Sequence, residues 1–374
     1  MNRRIVLSVE ALDPQLTGIG RYVWELARRL PLQPGVASVR YERNSVWIPD
    51  PAQLLVDPRY PRFPKPVRWV RKRMTPLRHW YSASIMRRSV CHGPNFFLPR
   101  LAEAGVVTIH DLSVFRFPET HPADRRAFYD RHFQDTLRRV SHVITDSETT
   151  RLEVIDTLSV DPANVTAVPL GVDPVFHPHG DDTLAPLLAP LGLHPGGYAL
   201  CVSTIEPRKR IAELVRAWRI LPPAVRARWP LVLAGSSGWL SEAILADMVE
   251  AQREGWLRYI SYVDEAALPA LYAGAGLFVY PSIYEGFGLP PVEAMASGVP
   301  VVVANASCLP EVTGGAAMLT EPDDIAGFAL RIEQALTDAP WRASARSKGL
   351  EVASGYNWDR CAAATVEVYR GMPG

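Results

Sequence analysis

The chain has 374 residues, 48% of them hydrophobic and 21% charged, with a formal net charge of +1. That length exceeds one ordinary domain and suits two of middling size, each with enough apolar material for its own core. The balanced charge and the lack of a recognition motif argue against nucleic acid as a partner, and no apolar run approaches the roughly 18 to 20 residues that cross a bilayer.

The chain opens with "RIVLSV" (4–9), a strand pattern too short to be the apolar part of a signal peptide. "EALDPQLTGIGRYVWEL" (10–26) then brings Gly18 and Gly20 to the start of an amphipathic helix predicted over 20–30. Residues 62–89, "RFPKPVRWVRKRMTPLRHWYSASIMRRS", interleave Arg and Lys with Trp and Tyr and hold no acid. Two readings stay open for them: a solvated face, or contact with an anionic membrane surface or lipid diphosphate. Strands follow at 106–110, 142–146 and 165–169, and helices at 123–140 and 148–158. A stretch rich in Pro, Gly and His (169–197) marks the break between domains.

Beyond it, strands are predicted at 198–203, 230–235, 259–263, 277–282 and 300–305, and helices at 210–221, 241–254, 265–274, 290–297, 324–337 and 342–353. Apolar strands alternating with helices imply parallel sheets covered on both faces, and two such series imply two doubly wound domains. The four cysteines (Cys91, Cys201, Cys308 and Cys361) include no CxxC pair, which excludes ordinary structural zinc spacing and reads as reduced thiols in a cytoplasmic protein.

In such domains ligands meet the carboxyl ends of the strands. "LFVYPSIYEGFGLPPVEAMASG" (277–298) places Glu285 in a glycine loop at a strand end and Glu293 in the first turn of the next helix. Gly286 and Gly288 let the backbone approach a ligand, and helix-start N–H groups can meet an anion. An acid near a helix N-terminus also suits the helix dipole with no ligand involved, so that reading of Glu293 stays open. In "CVSTIEPRKRIAELVRAW" (201–218), Arg208 and Lys209 stand at a strand-to-helix junction suited to a diphosphate, whereas Arg210 reads as a solvent-facing helix residue. His110 and Asp111 end the strand at 106–110, and His92 has a similar but less supported placement.

Taken together these stretches resemble the retaining nucleotide-sugar glycosyltransferases of family 4. The resemblance covers nearly the whole chain, and "EGFGLPPVEAMASGVPVV" carries the E-x7-E signature. "TGIGRY", "IHD", "VITDS", "VPLGVD", "STIEPRKR" and "CLPEVTGGAA" support it. The resemblance implies the GT-B fold, with two Rossmann-like domains facing a central cleft: 1–172 for the acceptor, joined by a closing helix at 356–374, and 173–355 for the donor.

Carried over position by position, the resemblance gives Glu285 and His110 contact with the sugar at the reacting centre and Glu293 the nucleotide ribose. Arg208, Lys209 and Gly20 would hold the donor diphosphate, with backbone contacts from Gly286, Phe287, Gly288 and Leu289. Many relatives carry an Arg where this chain has Thr204, so Arg208 takes its charge by substitution. No cofactor or metal is expected, because cations are built in and "GDDT" (180–183) falls in the linker.

The implied reaction moves a sugar with retention, from a nucleoside diphosphate to a hydroxyl of a growing glycan. The combination of "EALDPQLTGIGRY" and "STIEPRKR" resembles bacterial mannosyltransferases of O-antigen, capsule or exopolysaccharide assembly, which implies GDP-mannose as donor; GDP-rhamnose and UDP-glucose remain alternatives. A lipid-linked acceptor would agree with the basic stretch 62–89 and with peripheral attachment at the inner face of the cytoplasmic membrane. A glycoside phosphorylase and a non-catalytic glycan-binding subunit are the competing classes; the first should carry a cofactor-bearing lysine and longer insertions.

Overall fold

A computed structural model of the chain describes residues 2–61, 75–261 and 263–372. The chain divides into two compact units: Met1–Leu112 with Ala127–Gly171 and Trp358–Gly374, and Ser113–Arg126 with Val172–Asn357. Sequence reasoning keeps Ser113–Arg126 with the first unit, as part of one uninterrupted series. The side chains explain the difference: Phe117 packs on Tyr284 with ring centroids 5.1 Å apart, and the Trp239 indole donates to the Thr120 carbonyl.

The first unit is built on a seven-stranded sheet: β1 (Arg3–Ser8), β2 (Val36–Arg43), β3 (Val46–Ile48), β4 (Val90–Gly93), β5 (Gly105–Ile109), β6 (Val140–Thr145) and β7 (Val165–Ala167). Its order is β3-β2-β1-β4-β5-β6-β7, parallel throughout except for the β2–β3 hairpin at one edge. The apolar run Gly105–Ile109 is buried along its whole length, as expected for a central strand covered on both faces. Helix Gly18–Arg29 is capped by the Thr17 side chain, which accepts from the Gly20 N–H. Helix Trp358–Gly371 belongs to this unit and is tied to it by the Arg29–Asp359 ion pair at 2.7 Å.

The second unit carries six parallel strands: β8 (Ala199–Val202), β9 (Leu231–Ala234), β10 (Leu257–Ile260), β11 (Leu277–Tyr280), β12 (Val301–Ala304) and β13 (Met318–Thr320). Their order, β10-β9-β8-β11-β12-β13, runs outward in both directions from the β8–β11 pair, which sets the topological switch point there. Strands β11 and β12 are buried at every position. Each fully buried Val, Leu or Ile in them contributes about 1.5–3 kcal/mol relative to exposure, so this part of the sheet is a firm platform for the loops at its end.

Several segments without predicted elements are helical. Asp181–Leu188 lies in the linker stretch, and the "GDDT" acids Asp181 and Asp182 fall in its first turn, where acids suit a helix N-terminus. Thr75–Met86 lies within the basic stretch 62–89, of which 62–74 fall outside the described residues. Among the described residues no helix is long and apolar enough to cross a membrane. All four cysteines are free and buried.

Candidate active site

The two loops at the β8–β11 switch point hold the main charge cluster of the second unit. After β8 the chain forms a 3-10 turn, Pro207–Lys209, where sequence reasoning expects a run directly into the helix. Arg210 then takes a left-handed conformation (φ 54°) and caps helix Ile211–Ile220. This turn separates the three cations: Arg208 and Lys209 go to the cluster, while Arg210 pairs with Asp323 (3.0 Å) and Glu213 (3.5 Å). The loop after β8 is fixed from the side, since Ser203 N donates to Ala234 O and Ile205 N to Ser236 O.

Glu285 is the centre of the cluster. Its Oε1 accepts from Lys209 Nζ at 2.5 Å and from the Tyr280 hydroxyl at 2.9 Å, and its Oε2 lies 3.6 Å from the Arg208 guanidinium. Arg208 also bonds Glu206 at 2.8 Å and the Tyr284 carbonyl. Burial alone would raise the Glu285 pKa; Lys209 and then Arg208 outweigh it, so the carboxyl lies below its ordinary range. Two cations and two carboxylates thus share one buried place, and charges removed from water in this way are stable only when paired.

The loop leaves the cluster through Gly286, Phe287 and Gly288, all buried. The Phe287 ring packs edge-on against Tyr356 at 5.1 Å. Gly288 has φ 89°, the left-handed region that favours glycine, and a Cβ there would meet Leu309 at 2.9 Å. Helix Leu289–Ala296 starts directly after it. Pro290 and Pro291 lack N–H groups, so the donors at this helix start come from Gly288, Leu289 and Val292 rather than from a full first turn.

Glu293 is the fifth residue of the helix and not in the first turn, because the helix begins at Leu289 with the two prolines filling its opening. The dipole-based reading of this acid, which needs the first turn, loses its footing. Glu293 is buried beside Tyr272, whose hydroxyl pKa is raised well above 10 by burial first and by the Glu293 charge second.

In the first unit the corresponding loops carry a different arrangement. His110 follows β5, and Asp146 follows β6 just before helix Glu148–Leu158, which Ser147 caps. His110 Nδ1 lies 2.7 Å from Asp146 Oδ2, and its Nε2 lies 2.9 Å from the Pro94 carbonyl. His92 is fully buried between the Tyr369 hydroxyl (2.7 Å) and Thr108 (2.9 Å), and burial lowers its pKa to about 3, so it is a neutral structural residue. Gly20 is buried, its N–H is taken by Thr17, and a Cβ there would lie 3.0 Å from the Ala11 carbonyl, so a larger side chain would have to displace its neighbours.

The structure therefore brings Glu285, Arg208 and Lys209 together and sets the Gly286–Leu289 backbone beside them. It also joins three residues to the candidates that sequence reasoning does not single out. Tyr280 and Glu206 complete the cation cluster, and Asp146 holds His110. Tyr280 reads as an apolar strand residue, and Asp146 as part of a helix-capping run. Their only signal is position at a strand's carboxyl end.

Comparison with known proteins agrees with this geometry. Residues 194–352 match the model of glycosyl transferases group 1, and residues 16–176 match glycosyltransferase family 4. The chain is 34% identical to an O-antigen chain mannosyltransferase B of Escherichia coli, over 98% of this chain and 99% of that protein. Among solved structures it is similar in fold to a sucrose-phosphate synthase from Thermosynechococcus elongatus (TM-score 0.71, 21% identity, 99% and 98% of the two chains). It is also similar in fold to Anabaena HepE in complex with UDP and glucose (TM-score 0.72, 17% identity, 99% and 100%). Two Rossmann-like sheets with Glu285, Lys209 and Arg208 gathered at the switch point of the second, and similarity along the full length, lead to one assignment: the chain belongs to the family 4 glycosyltransferases, with the GT-B fold.

Proposed function

We propose that this enzyme moves mannose from GDP-mannose, with retention, to a hydroxyl of a growing lipid-linked glycan in bacterial surface polysaccharide synthesis. The full-length similarity to an O-antigen chain mannosyltransferase carries the choice of sugar and pathway. The cluster at the second sheet's switch point supports the chemistry. In the reaction the bond from C1 to the β-phosphate oxygen breaks and a bond from C1 to the acceptor oxygen forms on the same face. The acceptor proton passes to the departing phosphate, and GDP leaves.

The charge that builds on the diphosphate meets Arg208 and Lys209, which stand preplaced in a buried site where such stabilisation is worth several kcal/mol. Phosphate oxygens and the Glu285 carboxylate then compete for the same cations. Donor binding frees Glu285 to accept from sugar hydroxyls, while Glu293 takes the ribose. Built-in cations make a metal unnecessary in this reading.

A donor panel tests it. GDP release with GDP-mannose, and an α-linked product by NMR, is the expected result. Turnover only with UDP- or dTDP-sugars overturns the donor assignment. Tight nucleotide binding with no transfer to any glycan acceptor overturns the enzyme reading in favour of a glycan-binding subunit.

The membrane part of the proposal rests on helix Thr75–Met86. Ser82 and Met86 face inward, while Leu77, Trp80 and Tyr81 form an i, i+3, i+4 stripe that is 63%, 67% and 53% exposed. An aromatic stripe in a segment with many cations and no acid fits an anionic bilayer, where Trp and Tyr settle at the headgroup level. Replacing Trp80 and Tyr81 together with serine is expected to abolish co-flotation with phosphatidylglycerol vesicles and leave transfer to a short soluble acceptor intact. Unchanged flotation refutes the assignment.

A further inference from the structure

Both ring nitrogens of His110 are engaged. The Pro94 carbonyl can only accept, so Nε2 carries a hydrogen and donates it at 2.9 Å. Nδ1 lies 2.7 Å from Asp146 Oδ2, and a contact that short between a ring nitrogen and a carboxylate oxygen requires a proton between them. His110 therefore has no free lone pair with which to accept a proton. The ring is also clamped by the Tyr22 edge, at 5.0 Å and 87°, and the Tyr22 hydroxyl is held 2.9 Å from Thr108.

We propose that Asp146 is a positioning residue that holds His110 as a doubly protonated imidazolium of fixed orientation, so that His110 supplies positive charge and cannot serve as the acceptor's base. The inference rests on the transfer reaction above and deepens it, since the acceptor proton is then left to the departing phosphate.

The surroundings support this state. Burial lowers the His110 pKa, and the Asp146 charge and hydrogen bond outweigh it, with Pro94 and Asp111 adding to the rise. Burial and the Asp111 charge raise the Asp146 pKa, and the His110 charge and hydrogen bond oppose that rise, so the ion pair rests on the contact between the two groups. Asp146 is 3% exposed, and its Oδ2 contact with His110 Nδ1 is the hydrogen bond that pairs its charge. Among the described residues, the other titratable groups around the pair are Tyr22 from the first helix, His92 from β4, Cys361 from the closing helix and Asp111 from the loop itself. Burial keeps Tyr22 and Cys361 uncharged and His92 neutral, so Asp146 and Asp111 are the charges that act on His110.

The sign follows. A raised His110 pKa keeps the imidazolium through the ordinary histidine midpoint of 6.5 and loses it only as pH climbs through the raised value. Asp146→Asn removes the carboxylate, so activity should fall away at lower pH. Its kcat should drop by on the order of 10²-fold with little change in donor KM. Nitrogen-15 NMR of labelled histidines reads the state without turnover, the His110 signals being identified by their loss in His110→Gln. Two protonated ring nitrogens at pH 6.5 in the wild-type enzyme are expected, and one in Asp146→Asn.

A neutral His110 ring in the wild-type enzyme overturns the proposal even if Asp146→Asn fails to fold. So does an Asp146→Asn enzyme with unchanged kcat and pH profile. A failure of the glycosyl-transfer reading alone would leave the NMR result standing.

Discussion

Glu285→Gln is expected to lower kcat for glycosyl transfer by on the order of 10²-fold or more, while the enzyme stays folded. Glutamine keeps the shape of the side chain and an oxygen for the Tyr280 hydroxyl. It removes the negative charge that faces Lys209 at 2.5 Å and Arg208 at 3.6 Å. Under the proposed mechanism that charge sets the sugar and is exchanged for phosphate as the donor enters. Near-normal turnover in this variant refutes the role.

Alanine at the same position is a harsher change, because besides the charge it removes the oxygen that accepts from Lys209 and Tyr280 and leaves the space of the side chain empty. Breaking a buried pair from one side costs about 3–5 kcal/mol, so a marked fall in Tm accompanies the loss of activity. The pH dependence follows from the lowered Glu285 pKa. The stabilisation from this carboxylate is in force above the ordinary glutamate value of 4.5 and is lost as pH falls through the lowered value. The glutamine variant should lack that contribution to acid unfolding.

Lys209→Met is expected to weaken nucleoside diphosphate binding by about 10- to 100-fold, the worth of one charged hydrogen bond. Methionine preserves much of the aliphatic stem beside the Tyr280 ring, over which Lys209 Nζ now lies at 5.6 Å. Calorimetric titration of GDP against the wild-type enzyme and the variant measures the loss. Unchanged GDP affinity refutes the diphosphate role. A comparable loss with GMP, which lacks the β-phosphate, would place Lys209 at the wrong phosphate.

Much of the second unit is legible in the sequence because its central strands are unbroken apolar runs bounded by Gly and Pro. "LFVYPS" and "PVVVAN" mark β11 and β12 within a residue or two, and the loop between them carries Glu285 by position alone. The first unit's edge is not legible. In β2 the exposed residues are Ala37, Ser38 and Arg40 and the one buried residue is Glu42, and β3 is three residues long, so neither has a strand's usual apolar signature. Helix Thr75–Met86 escapes because its apolar stripe points outward. Helix Asp181–Leu188 escapes because it contains Pro186. The site is half legible for a related reason. Sequence can propose that Glu285 and Lys209 share a strand-end region, but the partners Tyr280 and Asp146 are set by which strands lie side by side, and pairing order is a property of the folded sheet.

The seating of Ser113–Arg126 with the second unit bears on how such enzymes can be recombined. The chain passes from one unit to the other after Leu112, after Arg126, after Gly171 and after Asn357. A gene fusion with a single junction at the linker would therefore pair one parent's Phe117 and Thr120 with the other parent's Tyr284 and Trp239. It would also separate the His92 of one parent from its own Tyr369. The heritable module is discontinuous: a graft that carries the second unit intact has to move 113–126 and 172–357 together.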